Sequence, residues 1–112
     1  PAQIRKEETM IRHLVALRFK ADTPEATKQQ LYDDLAGLDH RIDGILDFQS
    51  RTNVSVEEHL VRGFRDLFWF DFRDAAVRDA YLVDEAHQAI GARIVAQVED
   101  GPDGIFVIDF EV

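Results

Sequence analysis

Residues 64–72 read Phe64-Arg65-Asp66-Leu67-Phe68-Trp69-Phe70-Asp71-Phe72, and five of these nine positions are aromatic. Successive side chains of a strand point to opposite faces, so Phe64, Asp66, Phe68, Phe70 and Phe72 share one side and Arg65, Leu67, Trp69 and Asp71 the other. Rings on both sides make this a central strand, with neighbours in its own sheet and cover above and below. The rest of the chain supplies those neighbours and that cover.

Upstream, Ser55 to Gly63 is polar and forms a loop or hairpin connection. Before it, the Asp43-Gly44 turn leads into a strand over Ile45 to Val54, anchored by Ile45, Leu46 and Phe48. Earlier still, Thr23 reads as an N-cap, Pro24 as a first-turn proline and Glu25 as an acid at the positive helix end. Leu31, Leu35 and Leu38 then recur at helical spacing, and the helix ends near Leu38. The segment Ile11 to Lys20 alternates, with Ile11, His13, Val15, Leu17 and Phe19 on one side and Arg12, Leu14, Ala16, Arg18 and Lys20 on the other. Downstream, Asp74 caps a second helix over about Ala75 to Tyr81. Its pattern resumes through His87, Ile90, Ile94 and Val98, with a break near Gly91. Asp100 to Gly104 is the strongest turn cluster, and Ile105 to Val112 is a last strand.

The order β-α-β-β-α-β predicts an α+β fold of the ferredoxin-like kind, a four-stranded antiparallel sheet with two helices on one face. The uncovered face carries Leu14, Leu67 and Trp69, with Ile105 and Val107 added to it, an apolar patch too large for a monomer. A second sheet across a two-fold axis is its natural cover, so the expected partner is a second copy, in a sheet-on-sheet or barrel-like homodimer.

The chain has 112 residues, 46% of them hydrophobic, which suits one domain with one core. Pro1 to Thr9 are polar and read as a tail, and Met10 ahead of the first apolar segment reads as a start, which leaves residues 10–112 as the domain. The tail has no apolar run of a signal peptide. Cysteine is absent, which fits a reducing compartment and a cytoplasmic location. A net charge of −9, from 22 acidic against 13 basic residues, argues against nucleic-acid and membrane partners. No metal and no cofactor are expected, because His13, His40, His59 and His87 are scattered and form no close helical pair. Asp84-Glu85-Ala86-His87 spells a helicase signature without the phosphate loop that such a motor needs, and Asn53-Val54-Ser55 is a glycosylation sequon with no secretory signal.

Met10 to Val15, the Asp22-Thr23-Pro24-Glu25 helix entry, the Ile42 to Ile45 turn and Asn53-Val54-Ser55 together resemble the Dabb family of stress-responsive dimeric α/β barrel proteins. Asp74 to Leu82, Ala86 to Ala89 and the ending Val107-Ile108-Asp109-Phe110 fit the same pattern, which covers Met10 to Val112. The resemblance implies a ferredoxin-like protomer paired through its sheet into a dimeric α/β barrel. In a plant polyketide cyclase branch of this family, a histidine beside the second helix acts as general base with a tyrosine six residues earlier, without a cofactor. His87 and Tyr81 stand at those positions, and a further histidine of that branch, in the first strand, is matched by His13. Where that branch has another histidine entering the third strand this chain has Asp66, and the common His-Pro-Ala-His is here Asp84-Glu85-Ala86-His87.

The candidate catalytic residues are therefore His87, Tyr81 and His13, and the candidate ligand contacts Asp66, Phe68 and Tyr32. An imidazole is the side chain best matched to proton transfer near neutral pH. Against this stand plainer readings: His13 as a hydrogen-bonded core histidine, His87 as a capping or surface group, Tyr81 and the phenylalanines as core, and Asp66 at a strand end in water. The functions in view are a domain that binds a small hydrophobic or aromatic molecule, a cofactor-independent cyclase or isomerase, a heme-free monooxygenase, and a structural protein with no site.

Overall fold

The structure is a computed structural model and describes residues 9–112. Of the stretch read as a tail, all but Thr9 lies outside the described residues. The elements run β1 (Ile11–Leu17), α1 (Glu25–Ala36), a 3-10 turn (Gly37–His40), β2 (Ile45–Thr52), α2 (Glu58–Val61), β3 (Asp66–Phe72), α3 (Ala75–Val83), α4 (Glu85–Gln97), a second 3-10 turn (Gly101–Gly104) and β4 (Ile105–Glu111). The strands form one antiparallel sheet in the order β2-β3-β1-β4, the ferredoxin-like arrangement. The aromatic strand β3 is central, as its two-sided pattern requires.

One face of the sheet meets the helices. Val15 and Leu17 of β1 and Phe68, Phe70 and Phe72 of β3 are buried there against Leu31 and Leu35 of α1, Val77 and Tyr81 of α3, and Ile90 and Ile94 of α4. Phe70 and Phe72 are fully buried, with their rings stacked 5.4 Å apart. Removing that much apolar area from water is the main term that holds the two layers together.

Several boundaries differ from the pattern-based expectation, each for a local reason. The first strand ends at Leu17 rather than Lys20, because the Arg18 N–H donates to the Gly104 carbonyl (2.8 Å) and Phe19 only bridges to Val98. Thr23 does not cap α1. Its hydroxyl donates to the Gln97 carbonyl (3.2 Å), tying the loop to the end of α4, and Pro24 occupies the cap position. The connection after β2 contains the short α2. The second helix is two helices, broken at Asp84 and not at Gly91: Asp84 is extended (φ −68°, ψ 131°) and its carboxylate accepts from the His87 N–H at 3.0 Å. Asp74 caps α3 as expected, accepting from the Val77 N–H at 3.0 Å. Asp74→Ala should cost about 1 kcal/mol, read as a lower denaturant midpoint at unchanged slope.

The register corrects the composition of the uncovered face. Across β1 and β4, Leu17 faces Ile105, Val15 faces Val107 and His13 faces Asp109, so Ile105 and Val107 lie on the helix side. The outer face instead carries Phe106, Ile108 and Phe110 opposite Ala16, Leu14 and Arg12, together with Leu67 and Trp69 of β3. Alternation sorts β4 into two sets, both apolar in their first positions, and only its pairing with β1 tells which set meets the helices. Phe106, Ile108 and Phe110 are 56%, 43% and 42% exposed in the single chain. Beside them Arg12 pairs with Asp71 through two bonds (2.8 and 3.1 Å), and its guanidinium lies 5.5 Å from the centre of the Trp69 ring.

Candidate functional site

The break at Asp84 turns α4 back over the sheet and sets Tyr81, at the end of α3, against His87, in the first turn of α4. Between these helices and the β1–β4 edge lies a cleft of about 170 Å³, lined mainly by apolar groups such as Val15, Ile94 and Val107. Three polar side chains border it: His13, Tyr81 and His87.

His13 is buried on β1, and its Nδ1 lies 2.6 Å from Asp109 Oδ1. The other oxygen of Asp109 accepts from Arg78 of α3 at 2.9 Å. A carboxylate can only accept, so the proton of neutral His13 sits on Nδ1 and Nε2 keeps its lone pair. Burial is the largest influence on this imidazole and lowers its pKa below the ordinary 6.5; Asp109 pulls it back up and Arg78 pushes it down.

Tyr81 is 1% exposed and is packed among rings: Phe70 at 4.8 Å, Phe72 at 5.0 Å and the edge of His13 at 5.5 Å. Its phenol pKa is raised, first by burial and then by the Asp109 charge, so the hydroxyl stays protonated and able to donate. His87 stacks on Tyr81 with centroids 3.8 Å apart, and its Nδ1 is buried with no hydrogen-bond partner. Burial lowers the His87 pKa, His13 lowers it further, and the Tyr81 carbonyl and Asp84 offset part of the shift. At neutral pH the cleft therefore holds two uncharged imidazoles and one phenol, which is the protonation state that general-base chemistry uses.

These shifts carry a stability consequence. Between the lowered native pKa values and 6.5 the unfolded chain binds more protons than the folded one, so the histidine contribution is complete above 6.5 and is lost as pH falls through the native values. The denaturation midpoint should drop from about pH 7.5 to about pH 5.5, and drop less in His87→Gln. An equal drop in the variant would show that His87 does not contribute.

Of the sequence-level candidates, His13, Tyr81, His87 and Phe68 line this one cleft. Tyr32 and Asp66 do not; they line a second cleft, between α1 and strands β2 and β3. Asp66 heads β3 and pairs with Lys28 of α1 (3.4 Å), and the carboxylate that holds His13 is Asp109. Asp109 and Arg78 escaped the sequence reading, although an acid in the Ile105-Val107-Asp109 series, on a side otherwise apolar, is the signal that marks the first of them. His40 and His59 are exposed and border neither cleft. Among the described residues no group of three or more histidine or acidic side chains is placed to hold a metal ion. No helix among them is long and apolar enough to cross a membrane.

A family model, Dabb, described as the stress responsive A/B barrel domain, matches residues 11–112. The chain belongs to the Dabb family. Among solved structures, a dimeric ferredoxin-like protein of unknown function from Jannaschia sp. is 32% identical to this Dabb chain, with a TM-score of 0.82 over 92% of this chain and 99% of the other. A Dabb family protein with a ferredoxin-like fold from Mesorhizobium loti is 23% identical, with a TM-score of 0.71 over 92% and 96% of the two chains. A hydroxynitrile lyase from Passiflora edulis is 15% identical, with a TM-score of 0.76 over 93% and 94%, a likeness of fold alone. No curated protein matches the chain.

Proposed function

We propose that this Dabb protein is a homodimer, joined through the outer sheet face, that binds a small apolar or aromatic molecule in the His13–Tyr81–His87 cleft of each protomer and moves a proton on it without a cofactor. The observation that carries the reading is the convergence of two imidazoles and a buried phenol on one largely apolar cleft. In this reading His87 is the base, since its ring borders the cleft and its lowered pKa keeps it unprotonated near neutrality. Tyr81 donates to a developing oxyanion, and His13, held by Asp109, orients the ligand oxygen.

The volume sets the ligand size. An apolar cavity of about 150 Å³ holds one benzene ring, so a space near 170 Å³ suits one ring or a short carbonyl chain. A purely structural domain would fill this space with side chains. The lyase of the same fold supports enzymatic chemistry on this scaffold only by analogy of fold. A stress-linked role in the cytoplasm belongs to the same proposal, and the dimeric relatives support the homodimer.

The test is a thermal-shift screen of small phenols and enolisable carbonyl compounds, followed by titration calorimetry on any hit. His87→Ala and Tyr81→Phe should each weaken binding about tenfold or more, the loss of one buried polar contact. Affinities unchanged in both variants would place the site elsewhere.

A further inference from the structure

Helix α4 runs unbroken through Gly91, near the middle of Glu85–Gln97. After proline, glycine is the residue that a helix interior tolerates least, because it has the most conformational freedom to lose. The backbone does not demand it here. Among the described residues the glycines with positive φ are Gly44, Gly63 and Gly101, and Gly91 is not one of them. Close packing does not demand it either. Apart from its chain neighbours and the helix backbone, a Cβ at position 91 would meet no atom of the described residues within 4 Å, whereas at Gly44 and Gly104 it would collide with Val77 and with the Glu99 carbonyl.

The position belongs instead to the cleft. Gly91 is half-buried and lines it together with His87, four residues before, and Ile94, three residues after. Residues at those spacings are neighbours on one face of a helix. Helical side chains lean toward the N-terminus, so a side chain at position 91 would lie over the turn that carries His87. Leu82 and Val107 contribute to the walls of the same space. The whole cleft holds about 170 Å³, and a leucine at position 91 would take up much of the room beside the imidazole.

We infer that Gly91 is the size-determining residue of this cleft: the side chain it lacks leaves the room in which a ring-sized ligand lies against His87. The inference rests on the proton-transfer reading of the cleft and adds to it the feature that admits an aromatic ring where a bulkier residue would admit only a short carbonyl compound. The helix gives up some stability for that opening.

The full chain and two variants test it, and both replacements are better helix formers than glycine, so folding is not at risk. Gly91→Ala should raise the thermal midpoint by about 4 °C, since no contact is lost and a helix-interior glycine is removed. In NMR titrations Gly91→Leu should weaken phenol about thirtyfold or more and the smaller butanone about threefold or less, so that the preference for the ring falls about tenfold. Xenon reads the space without reference to proton transfer, because it enters apolar cavities of this size. Under xenon pressure the methyl signals of Ile94 and Val107 should shift in the parent and stay still in Gly91→Leu. If xenon behaves so while neither phenol nor butanone binds the parent, the gap at position 91 holds and the proton-transfer reading fails. Xenon shifts that persist in Gly91→Leu, equal losses of phenol and butanone, or a lower thermal midpoint in Gly91→Ala would overturn the inference.

Discussion

Ile108→Asp is expected to turn a species of twice the 12.8 kDa chain mass into a monomer at micromolar concentration. Ile108 sits mid-strand on β4, opposite Leu14 and between the exposed rings of Phe106 and Phe110. In the single chain these groups form a continuous apolar surface with Leu67 and Trp69, which water covers at a cost. Asp71, an acid on that face, is 6% exposed and already bound by Arg12, so its charge is matched before any partner arrives. A new carboxylate at position 108 would have no such partner. Burying it in a sheet-on-sheet contact costs about 3 kcal/mol or more, which is a hundredfold or greater rise in the dissociation constant. Sedimentation velocity reads this directly. A variant that remains a dimer would place the interface on another face.

The second large effect separates packing from chemistry at one position. Tyr81→Ala removes a fully buried ring that touches Phe70, Phe72, His13 and His87, and should cost about 3–5 kcal/mol of stability. Tyr81→Phe keeps those contacts and should stay within about 1 kcal/mol of the parent in urea denaturation. The proposed function requires that the phenylalanine variant nevertheless lose ligand affinity. If it binds as the parent does, Tyr81 is a core residue and the phenol has no role in the cleft.

Much of this architecture is legible from short-range pattern. The alternation of Ile11 to Lys20, the rings of Phe64 to Phe72 and the turn at Asp100 to Gly104 each depend on neighbours within a few residues, and a strand or turn forms in each stretch, with β1 ending early at Leu17 and β3 starting late at Asp66. What pattern does not carry is pairing. Which side of β4 meets the helices depends on the pairing of His13 with Asp109, residues 96 apart in the chain, and so pattern alone places Ile105 and Val107 on the wrong face. The same pairing hid the His13–Asp109–Arg78 chain, because Asp109 looks like one of several acids on a strand until His13 is placed beside it. The resemblance to the cyclase branch pairs Tyr81 with His87, but it does not carry the reason they touch. It is the extended backbone at Asp84, held by the cap to the His87 N–H, that brings the two rings into stacking contact. Tyr32 and Asp66 stand apart from the histidines because the layering of the fold sets them in a cleft of their own, between α1 and strands β2 and β3.

The central claim is that His87 waits in the cleft as an uncharged base, and the direct measurement is an NMR titration of its imidazole carbon shifts. The account predicts a midpoint below the ordinary 6.5, moving toward it when Tyr81→Ala opens the site to water. A midpoint at or above 6.5 in the intact protein would mean a charged, solvated side chain, and the assignment of His87 as base would be wrong.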